Sequence, residues 1–135
     1  KIKIMSKYLA KIIANDQEGL QMISACISGS KTKVSDIKYL ASSKVFLISV
    51  ERTKVESDQI NKKINSICRF DFVDKVKSKN IDQFNEDKVL DLIGIDYLKN
   101  NDDYEINLIF NNNKHIILNT ETIEVRLEDQ NEIKQ

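Results

Sequence analysis

Hydrophobic positions in this chain recur with two different periods, and the switches between them mark its elements. Tyr8 to Ala14 is a short, β-branched apolar run of strand length. Asn15 follows as an N-cap with Glu18 three residues on, the arrangement that satisfies the first orphan amides of a helix. Leu20, Ile23 and Ile27 then fall at i, i+3 and i+7, flanked by Met22 and Cys26, and predict a helix of about three turns. Gly29 stands where a left-handed C-terminal cap is wanted, with Ser28 to Lys33 as the exit loop.

From there the period is two. Asp36 to Leu40 and Lys44 to Arg52 read as hairpin arms around Ala41-Ser42-Ser43, and Phe46, Ile48 and Val50 alternate with Leu47, Ser49 and Glu51. Residues 53–66 break the pattern. Ile60, Ile64 and Ile67 have helical spacing while the residues between them suit a polar loop, so a short helix or loop is expected. Cys68, Phe70 and Phe72 share one face, but the next apolar positions are Val73 and Val76. That parity break predicts a bend that lets one long strand serve two sheets. Lys75, Lys77 and Lys79 then project from one solvent face.

Val89 to Leu98 carries apolar residues on both parities, as a strand buried on both faces would, with Gly94 marking a bulge or a close neighbour. Ile106, Leu108 and Phe110 alternate, and Ile116 to Leu118 returns after Asn111-Asn112-Asn113, a hairpin turn signal because Asn tolerates the left-handed conformation. Ile123 and Leu127, behind a Thr120 or Thr122 cap, predict a closing helix; the alternation of Ile123, Val125 and Leu127 offers a last strand instead. Residues 1–6 and 130–135 are expected to fray. The element order describes an α+β domain with a bent antiparallel sheet of about seven strands. It is that of a pleckstrin-homology-like barrel with a helix after the first strand and a C-terminal helix, and a plain α+β sandwich is the alternative.

Composition narrows the class without naming a chemistry. A length of 135 residues suits one domain, and 41% hydrophobic with 31% charged residues is ordinary for a globular chain. No apolar run approaches the roughly 18 residues of a membrane span. Lys1 to Lys7 is charged with no long apolar run behind it, so a cleaved leader is not expected. Cys26 and Cys68 read as half-buried reduced thiols of a cytoplasmic protein. Net charge is zero but uneven: residues 31–79 carry twelve basic and six acidic side chains, residues 80–135 five and thirteen.

His115 is the only histidine, which excludes a multi-histidine metal site and any triad with two imidazoles; it reads as a partly exposed strand residue. Gly19, Gly29 and Gly94 are too dispersed for a phosphate loop. Asp102-Asp103-Glu105 and Glu86-Asp87 lack the spacing of a calcium loop. No enzyme is recognisable, and no cofactor or metal is expected. The expected function is a non-catalytic protein- or peptide-binding module that takes a partner strand at an open sheet edge. The alternative is an anionic ligand or nucleic acid held by Lys62, Lys63, Arg69, Lys75, Lys77 and Lys79. Nucleic acid is the less favoured of these, because no aromatic platform is interleaved with the lysines. Arg69 and Asp71, two apart on a strand, more often pair with each other than bind a ligand, and the lysine comb reads more readily as a solvated edge that resists aggregation than as a phosphate grip.

Several stretches, in their order along the chain, resemble the alphaproteobacterial "domain of unknown function 2948" family. They are Leu9 to Ile27, Asp36-Ile37-Lys38-Tyr39-Leu40, Arg69-Phe70-Asp71, Val76-Lys77-Ser78-Lys79-Asn80-Ile81, and Ile116 to Asp129. The chain departs from that pattern in Asn111-Asn112-Asn113, where the family usually has glycines, and in a less basic segment around Lys62-Lys63. The resemblance implies a small cytoplasmic bacterial protein and brings no catalytic residue, cofactor or substrate with it.

Overall fold

A computed structural model of the chain describes residues 10–55 and 61–132. The described residues form ten strands and one α-helix, with more strands than the seven the alternation suggests. The elements are β1 (Lys11–Ala14), α1 (Gln17–Ile27), β2 (Lys31–Lys33), β3 (Ile37–Leu40), β4 (Val45–Val55), β5 (Asn61–Phe70), β6 (Val73–Lys79), β7 (Val89–Asn100), β8 (Asp103–Phe110), β9 (Lys114–Thr120) and β10 (Val125–Glu132). Hydrogen-bonded neighbours run β1-β10-β5-β4-β2-β7-β8-β9-β6, every pairing is antiparallel, and β3 lies on β4 outside that path.

Three corrections to the sequence reading share one cause, that strand pairing outweighs local spacing. The expected C-terminal helix is β10, inserted between β1 and β5. Ile123, Val125 and Leu127 point into the core at 3%, 0% and 0% exposure, so their period-two reading is the real one. The undecided region 53–66 holds the end of β4 and the start of β5, paired from Val55↔Asn61 back to Phe46↔Phe70, while residues 56–60, with Ile60, lie outside the described residues. The exit loop after the helix contains β2, which bridges β4 to β7. The expected fraying at residues 1–6 falls outside the described residues, and β10 runs on to Glu132.

The helix forms where expected, capped one residue later. Asp16, not Asn15, is the N-cap, its carboxylate accepting from the Gly19 amide at 2.8 Å. Leu20, Ile23 and Ile27 bury completely against β1, β4 and β7, and Gly29 takes a φ of 86° just past the helix end. Val89 to Leu98 is not buried on both faces: Val89, Ile93 and Leu98 are exposed. Its mixed parity comes from a bulge between Leu92 and Gly94 that flips the inward side, from Leu90 and Leu92 before it to Ile95 and Tyr97 after. The bulge leaves the Ile95 amide to the helix, where Ser24 Oγ accepts it at 2.8 Å. A Cβ on Gly94 would lie 3.2 Å from that same oxygen. Gly94 thus serves as both bulge and close neighbour.

The parity break after Phe70 is also a bend. Phe72 turns outward at a φ of 58°, 44% exposed rather than sharing the inner face with Cys68 and Phe70. The chain leaves β5, paired to β4 and β10, and enters β6, paired to β9. One continuous stretch therefore serves both halves of the sheet, with the core between them around Phe46 and Phe70, packed edge to face at 5.9 Å. Asn112 and Asn113 take positive φ in the β8–β9 turn, as their side chains allow.

Candidate functional site

Three strands, β1, β3 and β6, are paired on one side only among the described residues, and the open edges of β3 and β6 border one groove. β3 pairs with β4 on one side only, and β6 pairs with β9 on one side only. Ile37 and Tyr39 of β3 line the groove opposite Val76 and Ser78 of β6. Phe46 and Ile116 lie deeper, and Val34, Ile81 and Gln83 stand around one end. The cavity is about 240 Å³, below the size of ordinary small-molecule pockets and enough for one or two side chains.

One end is tied shut. Tyr39 Oη donates to the Val73 carbonyl at 2.8 Å, and the Val73 amide donates to the Lys44 carbonyl at 2.8 Å. Lys44 can turn its carbonyl there because it holds a left-handed φ of 57° after the 3₁₀ turn Ala41–Ser43. Its ammonium meets both Asp74 and Glu121 at 2.9 Å, and these two carboxylates hold its pKa above the usual lysine range. Asp74 is correspondingly held below the usual carboxylate range, chiefly by its hydrogen bond from Lys44.

The other end is bridged by the β6–β7 connection. Asn80, at a φ of 63°, donates from Nδ2 to the Asn113 carbonyl at 2.6 Å, and Gln83 donates from Nε2 to Ser78 Oγ at 3.1 Å. The connection then crosses to the 3₁₀ turn Val34–Asp36, where the Val34 and Ser35 amides donate to Lys88 and Glu86 carbonyls at 3.0 Å each. Between these anchors an Asp82 carboxylate accepts from the Phe84 amide at 3.0 Å, and the Phe84 ring stands 94% exposed beside groove-lining Gln83.

The six basic residues singled out from the sequence do not form one surface. Lys75, Lys77 and Lys79 come together on the outer face of β6, all exposed and with no ion pair among the described residues, opposite Asn119, Ile117 and His115 of β9. Lys62 and Lys63 lie at the far end of β5 from the bend, opposite Lys54 and Thr53, with Lys63 3.5 Å from Glu51. Arg69 is on the outer face of β5 and is engaged by Asp71 at 3.0 Å. Its cross-strand neighbour on β10 is Arg126, which the sequence reading did not single out. His115 contacts two amides, Asn107 Oδ1 and Asn113 Oδ1, at 3.2 Å each.

A second polar constellation was also missed. Arg52 and Asp129, with side chains 9% and 0% exposed, form a buried pair: Nε to Oδ1 at 3.0 Å and Nη2 to Oδ2 at 2.8 Å. Ser66 Oγ donates to Oδ1 at 2.6 Å, and the Ala10 amide to Oδ2 at 2.7 Å. Burial opposes the charged carboxylate, but the hydrogen bonds from Arg52, Ser66 and Ala10 outweigh it and hold Asp129 below the usual carboxylate range. The signal was present in the alternation. Phe46, Ile48 and Val50 carry inward to Arg52; Ile123, Val125 and Leu127 carry inward to Asp129. With all four acceptor positions of the carboxylate filled, this network ties β4, β5 and β10 to the residue before β1.

These features define a class: a bent antiparallel sheet with one helix after its first strand and a groove between two unpaired edges. Within it, the chain belongs to the family described as "Protein of unknown function (DUF2948)", whose model matches residues 10–135. No curated protein and no solved structure matches the chain.

Proposed function

We propose that the protein is a non-catalytic peptide-binding module whose site is the β3–β6 groove. The observation that carries this reading is the pair of unpaired strand edges flanking an apolar slot. An extended chain laid there gains backbone hydrogen bonds from an edge and places alternate side chains in the cavity. Tyr39 and Lys44 fix one end of the slot and the anchored β6–β7 connection fixes the other, so the edges are preorganised and little ordering entropy opposes binding. The same reading takes the fold as pleckstrin-homology-like, with α1 in the covering role of the expected C-terminal helix, and the setting as the bacterial cytoplasm.

The test is selection of random peptides on the folded full chain, followed by titration of an enriched peptide into isotope-labelled protein. Amide shifts concentrated in Ile37–Leu40 and Val73–Ile81 are expected. An absence of enriched peptides, or shifts confined to other elements, overturns the reading.

A further inference from the structure

The peptide-module reading leaves the chemistry of the occupant open, and the β6 edge restricts it. We infer, resting on that reading, that the groove takes an acidic strand in which Asp or Glu alternates with apolar residues. Side chains of β6 divide by parity. Val76 and Ser78 turn into the groove, while Lys75, Lys77 and Lys79 turn to solvent on the outer face. A strand added to this edge must divide the same way, because residues directly opposite one another project from the same face. Its inward positions meet Ile37, Tyr39, Val76 and Ile81 and are apolar. Its outward positions stand next to three ammonium groups that no carboxylate of the described fold engages.

Charge also excludes the simplest competitor, a second copy. Two β6 edges paired with each other would set lysine against lysine across the seam, which is unfavourable at each pair. The contrast with Lys44 is informative. On the neighbouring turn Lys44 is neutralised by two carboxylates from its own fold, whereas the lysines on the open edge have none. The β6 edge therefore repels its own kind and is complementary to an acidic strand.

The experiment uses the full chain and fluorescent extended peptides with a core of about six residues, a common strand length. One core alternates Glu with Val, one Gln with Val, and one Lys with Val. The acidic peptide is expected to bind at least about tenfold more tightly than the Gln peptide at low salt, a difference of about 1.4 kcal/mol. That margin should shrink as salt rises. The combined K75Q, K77Q and K79Q variant should erase the preference, so that the Glu peptide binds no more tightly than the Gln peptide. Equal binding of the Glu and Gln peptides overturns the acidic-strand inference and leaves the module reading standing. Absence of peptide binding of any composition, selected peptides included, overturns both. A single-stranded oligonucleotide that outcompetes the acidic peptide for the same lysines also overturns the inference, in favour of nucleic acid. N-methylation of alternate peptide amides should abolish binding in one register and spare it in the other; no effect in either register overturns strand addition. Because the three lysines are exposed, these glutamine variants are expected to retain the wild-type amide spectrum, which confirms that lost binding is not lost folding.

Discussion

Replacing Arg52 with Met tests whether the Arg52–Asp129 network acts as a structural lock. Methionine keeps the unbranched stem and removes the guanidinium, leaving the Asp129 carboxylate fully buried with only Ser66 and the Ala10 amide to hold it. Removing one member of a buried pair typically costs about 3–5 kcal/mol. The two surviving hydrogen bonds put this case at the lower end, about 3 kcal/mol, a large share of the roughly 5–15 kcal/mol that holds a domain folded. With a urea m-value of about 2 kcal/mol/M, the unfolding midpoint followed by far-UV circular dichroism should fall by about 1.5 M. Adding Asp129→Asn to the variant removes the stranded charge but keeps an acceptor for a neighbouring donor, and should recover about half of the loss.

The pH dependence carries the sharper sign. In the native protein the Asp129 pKa is depressed, so its contribution is present above the unfolded carboxylate value of about 4 and is lost as pH falls through the folded value. In Arg52→Met the guanidinium's hydrogen bond and charge are gone, so burial meets less opposition and the Asp129 pKa rises relative to the native protein. The variant therefore keeps less of the stability that the ionised native carboxylate supplies at neutral pH. The stability gap between the two proteins should therefore narrow as pH falls from the variant's folded value toward the lower native one, and close below it. A midpoint shift below about 0.5 M, or a gap that does not change with pH, refutes the reasoning.

Three further outcomes follow from the geometry. Ser24→Ala strands the Ile95 amide at the β7 bulge and should cost about 1–2 kcal/mol; Gly94→Ala presses a Cβ on the same hydroxyl and should cost about 1 kcal/mol. The double variant should lose less than the sum, because the hydroxyl that clashes is gone; strict additivity in thermal unfolding would argue against their contact. Asp16→Ala should cost about 1 kcal/mol and Asp16→Asn little, measured by denaturant unfolding; equal losses would contradict the cap assignment. Burial pushes the Cys68 thiol far above its ordinary pKa while Cys26 is partly exposed. A thiol reagent at pH 8 should therefore modify one cysteine in the native protein and both in urea, and two fast native reactions would rule this out.

The helix, the β3–β4 hairpin, the Asn turn and the bend after Phe70 were legible because each depends on residues close in sequence. The errors fall where two periods coincide. Ile123 and Leu127 satisfy both i, i+4 and i, i+2, i+4, and only the presence of β1 and β5 on either side of residues 125–132 selects the strand. The Arg52–Asp129 pair was lost for a different reason. A charged residue on the inward parity reads as the end of a strand unless its partner, 77 positions away, is known to share that parity. The groove was illegible for a third. An edge strand and a central strand can carry the same alternation, and β3 and β6 become neighbours only through the Lys44 turn and the Phe72 bend. What separates β6 from β10 in the sequence is the outer face alone. On β10 that face carries Arg126 and Glu128, the latter paired with Lys11 across the strand; on β6 it carries three lysines that no carboxylate among the described residues engages. Charge of one sign, repeated every second residue, thus marks β6 as an edge that disfavours pairing with its own kind.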